Sequence, residues 1–396
     1  MVRLVRVLRA LSRKVFEKAI FAFSLPMPNE KGLVVFSMSR GRYWGNSRAL
    51  FEYMVENASP GIRVVWLSDP ALPADKVPIE YSNRFVSRHS LRGWFLCARA
   101  QLVVLSHGLG DFGLLREVAK RKKVFMLWHA ITTKYCGLLD EKFDQVRKAQ
   151  YREKESIFYG WLITSSDIDR YYSASYTGMD VNNIAVTGLP RNDQLFREGA
   201  REKAESEWVS ILYAPTFRDY PVEGGSVFFP FPHNPEEVAE WARSAHVRFF
   251  LRPHPNDTGS VEHVRALSGL APDVFLDEGG GNTPDVMDLL VDADGIITDY
   301  SSIYVDGLAL DMPVAFVDYD RDRYTEMRGL AYDYNLITPG PKVRSWPEFK
   351  QACEGMASSA KEWAEQREFV RQMFFKYRDA NACARVSALI EAEALR

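Results

Sequence analysis

Two histidines at the ends of short apolar runs are the residues of this sequence best suited to chemistry near neutral pH. His129 closes the run FMLWH, and His254 stands between two prolines in LRPHP, two residues after Arg252. An imidazole can act as an acid, a base or a hydrogen-bond donor at this pH, and a guanidinium is a permanent cation that suits phosphate. The prolines fix the backbone on either side of His254. These residues predict chemistry on a charged group, and a structural role for each histidine is the alternative.

A second cluster, the residues DYSS at positions 299–302, follows the apolar run GIIT. A helix is predicted to start near Ser301, and its free backbone N–H groups, with the hydroxyls of Ser301 and Ser302, would form an anion site. Asp306 lies one turn further along and is expected to reach a ribose hydroxyl. The alternative is an ordinary helix N-cap that uses Asp299 or Ser301.

A third strand end, in LYAPTFRD, offers Thr216 and Arg218. Ligands of open α/β sheets bind beyond the carboxyl ends of the strands, so three such ends on one rim predict a nucleotide diphosphate as the ligand. Its negative charge would be met by Arg252, Arg218 and Arg328. No acidic cluster with metal-binding spacing accompanies these residues, so we expect neither a metal nor another cofactor.

The matching site on the first half of the chain is FMLWHAITTKYCGLLD, which places His129 opposite that rim. His107, in LSHG, also ends a strand and competes with His129 for the role of general base.

The elements that must position these residues alternate along the chain from Gly32 onward. Continuously apolar runs such as LVVFSM, QLVVLSH and GIIT are typical of strands buried on both faces of a parallel sheet. Helical patterns lie between them, one being Ser47–Asn57 with Asn46 as its cap. We therefore predict an α/β protein with two doubly wound, Rossmann-like domains that face a cleft, the arrangement of the GT-B glycosyltransferases. The predicted boundaries are a first domain over 30–200, a second, nucleotide-binding domain over 208–360, and a helical segment over 361–396. One option is that this last segment crosses back to the first domain.

Length and composition agree with this plan. The 396 residues, 46% of them hydrophobic, suffice for two domains, because single cores stop growing near ~250–300 residues. A net charge of −2 gives no reason to expect nucleic acid as a partner. The four cysteines lack the spacing of a zinc site, which favours a reducing cytoplasm without disulfides.

The N-terminal residues 1–24 predict a basic amphipathic helix. Leu4, Leu8, Leu11 and Val15 fall on one face, and five of the six arginines and lysines of this segment fall on the other. The apolar stretches are too short to span a bilayer, so the helix is expected to lie on an anionic membrane surface, at the cytoplasmic face. The alternative is that it packs on the protein as structure.

Several motifs, taken in order, resemble those of the CDP-glycerol glycerophosphotransferases, the family of teichoic-acid primases and polymerases and their capsule-synthesis relatives. The resemblance covers roughly residues 33–349. The motifs are SRGRYWGN, LWHAITTKYCGLLD, TGLPRND, LYAPTFRD, LRPHP, DVMDLLVDADGIITDYSSIYVDGL and YDRDRYTEMRGLAYDY.

The resemblance implies a GT-B fold and an enzyme of EC 2.7.8 type. Such an enzyme transfers glycerol phosphate, or a related polyol phosphate, from a CDP-activated donor to a hydroxyl of a lipid-linked saccharide or polymer acceptor, releasing CMP. It also implies that His129 and His254 occupy the two active-site histidine positions of the family. One departure lies on the acceptor side, where the family usually has Gly-Thr-Pro and this sequence has Ala130-Ile131-Thr132.

Two other functions are consistent with the same residues. A GT-B glycosyltransferase that uses a nucleotide sugar would share the fold, and fold alone does not separate the two. A membrane-bound assembly subunit without catalysis is the second alternative. The sequence leaves open whether the polyol is glycerol or ribitol, and whether one unit or many are added.

Overall fold

A computed structural model describes residues 15–38, 42–200, 206–222, 225–254, 257–279, 285–356 and 361–396. The first half forms a parallel seven-stranded sheet with the order β3-β2-β1-β4-β5-β6-β7. Its strands are β1 (Glu30–Ser37), β2 (Arg63–Ser68), β3 (Phe85–Ser87), β4 (Ala100–Leu105), β5 (Lys123–Met126), β6 (Tyr159–Thr164) and β7 (Ile184–Val186). The helices of this half are α1 (residues 15–24), α2 (Gly45–Asn57), α3 (Leu91–Arg99), α4 (Arg116–Ala119), α5 (Gln145–Lys154) and α6 (Asp167–Thr177).

The second half forms a parallel six-stranded sheet with the order β10-β9-β8-β11-β12-β13. Its strands are β8 (Val209–Tyr213), β9 (Val247–Leu251), β10 (Phe275–Asp277), β11 (Gly295–Thr298), β12 (Val314–Val317) and β13 (Lys342–Val343). The remaining helices are α7 (Pro235–Ser244), α8 (Thr258–Leu270), α9 (Val286–Asp292), α10 (Ile303–Leu308), α11 (Arg321–Arg328), α12 (Tyr334–Ile337), α13 (Trp346–Met356), α14 (Ala364–Phe374) and α15 (Ala382–Ala394).

Burial explains why continuous apolar runs form these strands. In β4, Leu102 and Val104 contribute to one hydrophobic core, and Val103 and Leu105 contribute to another on the opposite face of the sheet. All four side chains are fully buried. A strand covered on both faces needs apolar residues at every position, not at alternate ones. The prediction of two doubly wound α/β units is confirmed.

The last helix packs against the first sheet. Asp193 accepts hydrogen bonds from the backbone N–H groups of Ala382 and Cys383, each at 2.8 Å, at the start of α15. Near the other end of α15, Glu393 forms an ion pair with Lys123 on β5. Helix α15 therefore packs on the first domain.

The start of α2 differs from the prediction. The helix begins at Gly45, and Trp44 occupies its N-cap position without a side-chain cap. Asn46, predicted to be the cap, lies inside the first turn, where its amide donates instead to the backbone carbonyls of Leu127 and Trp128, at 3.2 and 3.0 Å. The prediction of an Asn46 cap is wrong, because a tertiary contact takes the side chain.

Residues 15–24 are helical and rest on α3, where the indole N–H of Trp94 donates to the carbonyl of Ile20 at 3.0 Å. The predicted amphipathic helix over 1–24 is thus described in its second part. Residues 1–14, which include Leu4, Leu8 and Leu11, lie outside the described residues. Within the part of the chain that the structure describes, no helix is long and apolar enough to cross a bilayer.

Candidate active site

The loop that follows β5 connects the two halves of the molecule. Lys134 on this loop forms an antiparallel bridge with Leu330, and the N–H of Ala331 donates to the carbonyl of Thr133 at 3.0 Å. Because the loop starts at the carboxyl end of β5 and reaches the second domain, it brings residues of both domains to one place.

His129 lies at the beginning of this loop. Its ring stacks on the ring of His107, with centroids 4.7 Å apart and planes 9° apart. Its Nδ1 lies 3.4 Å from the carbonyl oxygen of Ser106. A carbonyl can only accept, so this contact favours the tautomer with the proton on Nδ1 and the lone pair on Nε2.

The environment of His129 favours the neutral imidazole. The residue is exposed, although many protein atoms surround its imidazole. Desolvation, and then the neighbouring His107, lower the pKa of His129. A neutral imidazole with a free Nε2 lone pair can accept a proton.

The backbone around His129 is held in an unusual conformation. Trp128 has a φ of 53°, in the left-handed region that non-glycine residues rarely adopt. Two contacts hold it there: the amide of Asn46 donates to its carbonyl, and its indole N–H donates to Thr132 Oγ1 at 3.1 Å. The strain is therefore supported by neighbouring residues, and it turns the chain sharply just before His129.

His107 is anchored separately. The buried carboxylate of Asp111 accepts hydrogen bonds from the backbone N–H groups of Ser106 and His107, at 3.1 and 3.0 Å, and lies 4.0 Å from His107 Nδ1. These bonds fix the turn after β4 and thereby the ring on which His129 stacks.

The second domain places Arg218 in a buried network of charges. Its guanidinium donates to Asp299 at 2.6 Å and, through two nitrogens, to Asp320 at 2.8 and 3.0 Å. The guanidinium lies 4.9 Å from the ring centroids of both Tyr300 and Tyr324. Burial opposes the charge of Arg218, but the two carboxylates outweigh it, so its pKa is raised. The side chain is 1% exposed, which places it inside the wall and not at the surface of the cleft.

Asp299 and Thr216 are tied together in the same wall. The backbone N–H of Thr216 donates to the carboxylate of Asp299, at 2.9 and 3.0 Å to its two oxygens. Asp299 also accepts from the N–H of Tyr300 at 2.5 Å. The bonds of Asp299 therefore join the end of β8 to the end of β11. The hydroxyl of Thr216 faces Lys134, at 3.4 Å from its Nζ.

Lys134, which was not among the predicted site residues, enters this wall from the first domain. Desolvation lowers its pKa to about 8, while Asp299 acts in the opposite direction. The sequence offered one signal for Lys134, its position five residues after the strand-end histidine His129. Sequence alone could not show that the loop crosses to the other domain.

His254 and Arg252 extend from the end of β9. The ring of His254 is exposed and stacks on Phe217, with centroids 5.6 Å apart. Desolvation, and then the charges of Lys134 and Arg42, lower the pKa of His254. Arg252 donates to the carbonyl of Glu278 at 2.8 Å, which holds its side chain against the neighbouring strand end.

The remaining predicted residues are distributed between the rim and the domain contact. Ser302 is the N-cap residue of α10, and Ser301 Oγ accepts from the N–H of Ile303 at 3.4 Å. The carboxylate of Asp306 is buried and accepts from Arg191 at 2.5 Å and from Asn192 at 3.1 Å, both in the first domain. Arg328 is partly exposed and lies 3.7 Å from Asp219.

The structure thus brings Thr216, Arg218 and Asp299 together, with Lys134 beside them, and it sets Asp306 apart in a contact between the domains. In the described ranges, no three histidine, cysteine, aspartate or glutamate side chains are grouped in a way that could hold a metal ion.

Comparisons with known proteins agree with this geometry. The profile of the CDP-Glycerol:Poly(glycerophosphate) glycerophosphotransferase family matches residues 19–392. The chain is 26% identical to a teichoic acid glycerol-phosphate transferase of Staphylococcus aureus, over 96% of this chain and 98% of that protein. It is 28% identical to a teichoic acid glycerol-phosphate primase of Bacillus subtilis, over 64% of each chain. It is 26% identical to a poly(glycerol phosphate) polymerase of the same organism, over 86% of this chain and 46% of that longer one.

Solved structures show the same fold. The wall teichoic acid polymerase TagF superposes with a TM-score of 0.76 at 20% identity, over 99% of this chain and 96% of that chain. The S. aureus MnaA-UDP co-structure superposes with a TM-score of 0.55 at 10% identity, over 93% of this chain and 98% of that chain. The two parallel sheets are therefore arranged as in GT-B-like proteins. With a family profile that spans nearly the whole chain, this protein belongs to the CDP-glycerol:poly(glycerophosphate) glycerophosphotransferases, a family of enzymes of EC 2.7.8 type.

Proposed function

We propose that this enzyme transfers glycerol phosphate, or a related polyol phosphate, from a CDP-activated donor to a hydroxyl of a membrane-linked glycan or polyol-phosphate acceptor, and releases CMP. The observation that carries the proposal is the pair of exposed histidines, His129 and His254, on different domains. Each has a lowered pKa, and Lys134 lies near enough to His254 to contribute to that shift. The first domain would receive the acceptor, and the second would bind the donor.

The proposed reaction transfers one proton, from the acceptor to His129, and needs stabilisation of negative charge on the leaving group. The acceptor hydroxyl oxygen attacks the β-phosphorus of the donor, and its proton passes to Nε2 of His129. The bond from this phosphorus to the bridging oxygen breaks, and CMP leaves with that oxygen. His254 would donate a hydrogen bond to the departing phosphate. The negative diphosphate favours protonated imidazole, so donor binding raises both pKa values toward the working pH.

The charge of the diphosphate would be met by groups that line the cleft. Lys134 and Arg252 supply positive charge, and Ser301, Ser302 and Thr216 supply hydroxyls. Arg218 and Asp299 would position the strand ends that carry these groups, because their own charges are satisfied within the wall. Arg328 would extend the positive rim toward solvent.

A membrane-linked acceptor fits a surface formed by α1 and α3. Phe16 and Phe23 on α1 are 54% and 69% exposed, and Leu91 on α3 is 85% exposed. Residues 1–14 add a dense basic sequence, which suits anionic lipid. We infer a peripheral location at the cytoplasmic face of the membrane. Phe16→Asp/Phe23→Asp protein should fail to sediment with anionic liposomes that retain the unmodified protein, and equal sedimentation of the two would refute this location.

Donor choice tests the proposed function. The protein is incubated with CDP-glycerol, CDP-ribitol or a UDP-sugar, each with a lipid-linked saccharide, and the products are analysed by mass. We expect release of CMP and addition of one or more polyol-phosphate units to the acceptor. Transfer of a sugar with release of UDP, and no reaction with either CDP-polyol, would overturn the proposal.

A further inference from the structure

A second candidate site lies outside the cleft, in an open groove between α4 and α5. Six of its lining residues are Arg116, Phe143, Arg147, Tyr151, Lys154 and Glu155, and its volume is about 330 Å³. We call it the α5 groove. None of its residues was singled out from the sequence, and none takes part in the chemistry proposed above.

The lining of the α5 groove is positively charged. It carries three cations and a single carboxylate, that of Glu155. Glu155 is bound to Arg116 at 2.6 Å and also accepts from the N–H of Leu109 at 3.1 Å, so it is already engaged. Within the described ranges, the side chains of Arg147 and Lys154 form no ion pair. Uncompensated cations on the wall of a depression attract anions.

Sequence composition alone would not reveal this charge. Residues 140–155 carry as many acids as bases, and over the whole stretch they cancel. However, Asp140, Glu141, Asp144 and Glu153 do not line the groove. Asp144, for example, caps α5 by accepting from the backbone N–H of Arg147 at 2.8 Å. Folding therefore leaves two cations of this stretch, Arg147 and Lys154, on the groove wall with only one of its five acids, Glu155.

The groove also offers groups that suit an organic phosphate. The guanidinium of Arg147 lies 6.0 Å from the ring centroid of Phe143, which gives one wall an apolar face. The hydroxyl of Tyr151 is buried and has no hydrogen-bond partner among the described residues. A solvated charged surface would have neither feature.

The α5 groove is connected to the proposed base by two routes. The loop that starts with His129 ends at Phe143, just before α5. Glu155 holds the N–H of Leu109, two residues after His107, and His107 stacks on His129. The groove is thus linked to His129 by one loop and by the contact of Glu155 with the turn that carries His107.

We propose that the α5 groove binds a phosphate group of the acceptor and thereby aligns the acceptor's reactive hydroxyl with His129. The inference rests on the proposed function, and it names the chemistry of the acceptor: a phosphodiester or diphosphate a short distance from the hydroxyl that reacts. Arg147 and Lys154 bind the phosphate oxygens.

The test compares the double variant Arg147→Ala/Lys154→Ala with Lys148→Ala, which removes a cation of α5 that does not line the groove. Two acceptors are used with CDP-glycerol: an oligo(glycerol phosphate) without lipid, and a lipid-linked disaccharide diphosphate. Each lost charge-assisted hydrogen bond weakens binding by about tenfold. We expect the acceptor KM of the double variant to rise at least about tenfold, with kcat and the KM for CDP-glycerol nearly unchanged. Lys148→Ala should behave as the unmodified protein.

The two acceptors show which phosphate is bound. An effect on the oligomer alone assigns the groove to the polymer phosphodiester, and an effect on the lipid-linked acceptor alone assigns it to the diphosphate. An unchanged KM for both overturns the proposal. Calorimetry of the oligomer and of the lipid-linked acceptor, without donor, gives an answer that is independent of turnover. If the double variant no longer binds the oligomer or the lipid-linked acceptor, the proposal for the groove is supported even when no CMP is released. Failure of the unmodified protein to release CMP counts against the proposed function alone.

Discussion

The two walls of the cleft use polar residues at strand ends in opposite ways. On the first-domain wall, His129 stays accessible, and it contacts a backbone carbonyl, a second imidazole and the ring of Trp128. On the second-domain wall, Arg218 and Asp299 are buried and bound to each other. The same type of sequence signal, a polar residue after an apolar strand, thus produces an accessible imidazole in one place and a buried structural ion pair, an internal brace, in the other.

The difference follows from how many partners each group finds. Asp320 accepts from Arg218, from Tyr220 at 2.7 Å and from Tyr300 at 2.9 Å, so the network around Arg218 is closed. A buried ion pair tolerates desolvation only when such additional bonds are present. Around His129, no hydrogen bond to Nε2 is formed by the residues that the structure describes, which would leave this nitrogen to a substrate.

Among single substitutions, His129→Ala should lower the turnover rate most. A small effect would remove the contrast between the two walls of the cleft. Loss of a general base lowers turnover by about 10²–10⁴-fold. The affinity for CDP-glycerol, measured by calorimetry, should stay within a few-fold, since the donor would bind the opposite wall. His107→Ala serves as the control with a smaller effect, because that ring only supports His129. Near-normal CMP release by His129→Ala would transfer the role of base to His107.

Arg218→Ala should give the largest change in stability. It leaves Asp299 and Asp320 buried without their cation, which costs about 3–5 kcal/mol in the free energy of unfolding. Chemical denaturation measures this value. Arg243 and Asp273 form a similar pair of bonds at the surface, and Arg243→Ala should leave the stability unchanged. If both variants were equally stable, Arg218 would not be an internal brace.

Lys134 allows a smaller and pH-dependent test. Lys134→Ala should weaken donor binding by about 1.5–3 kcal/mol, the contribution of a hydrogen bond to a charged group. Because burial lowers the pKa of Lys134 to about 8, the amine loses its proton, and donor affinity declines, as the pH rises through that value. Lys134→Arg keeps its charge and should remove the decline. A flat profile for the unmodified protein, with normal affinity for Lys134→Ala, would place the diphosphate elsewhere.

Much of the fold could be predicted because its strands are buried on both faces. Every apolar run of this kind became a strand, whereas β3 and β13 were missed. These two strands, FVS and KV, contain only two and one apolar residues, so neither shows a continuous apolar run. The cap of α2 was also missed, because the contacts of Asn46 lie 81 and 82 residues away along the chain.

The candidate site was predictable to the level of the strand end and no further. Position after an apolar run is a local property, and it located His129, His254 and the segment around Asp299. Burial of Arg218 depends on Asp320, 102 residues later, and the partner of Asp306 is Arg191 in the other domain. Such long-range pairings have no local signal in the sequence. Sequence alone therefore did not separate buried structural residues from residues that would bind substrate.

The most direct test of this account is a structure of the protein with CDP-glycerol bound. It should show the diphosphate beside Lys134, Arg252 and the α10 serines, with the β-phosphorus directed toward His129. The bonds from Arg218 to Asp299 and Asp320 should be unchanged. A diphosphate bound by Arg218 after those bonds have broken, with His129 turned away from the phosphorus, would contradict the assignment of chemistry to one wall and bracing to the other.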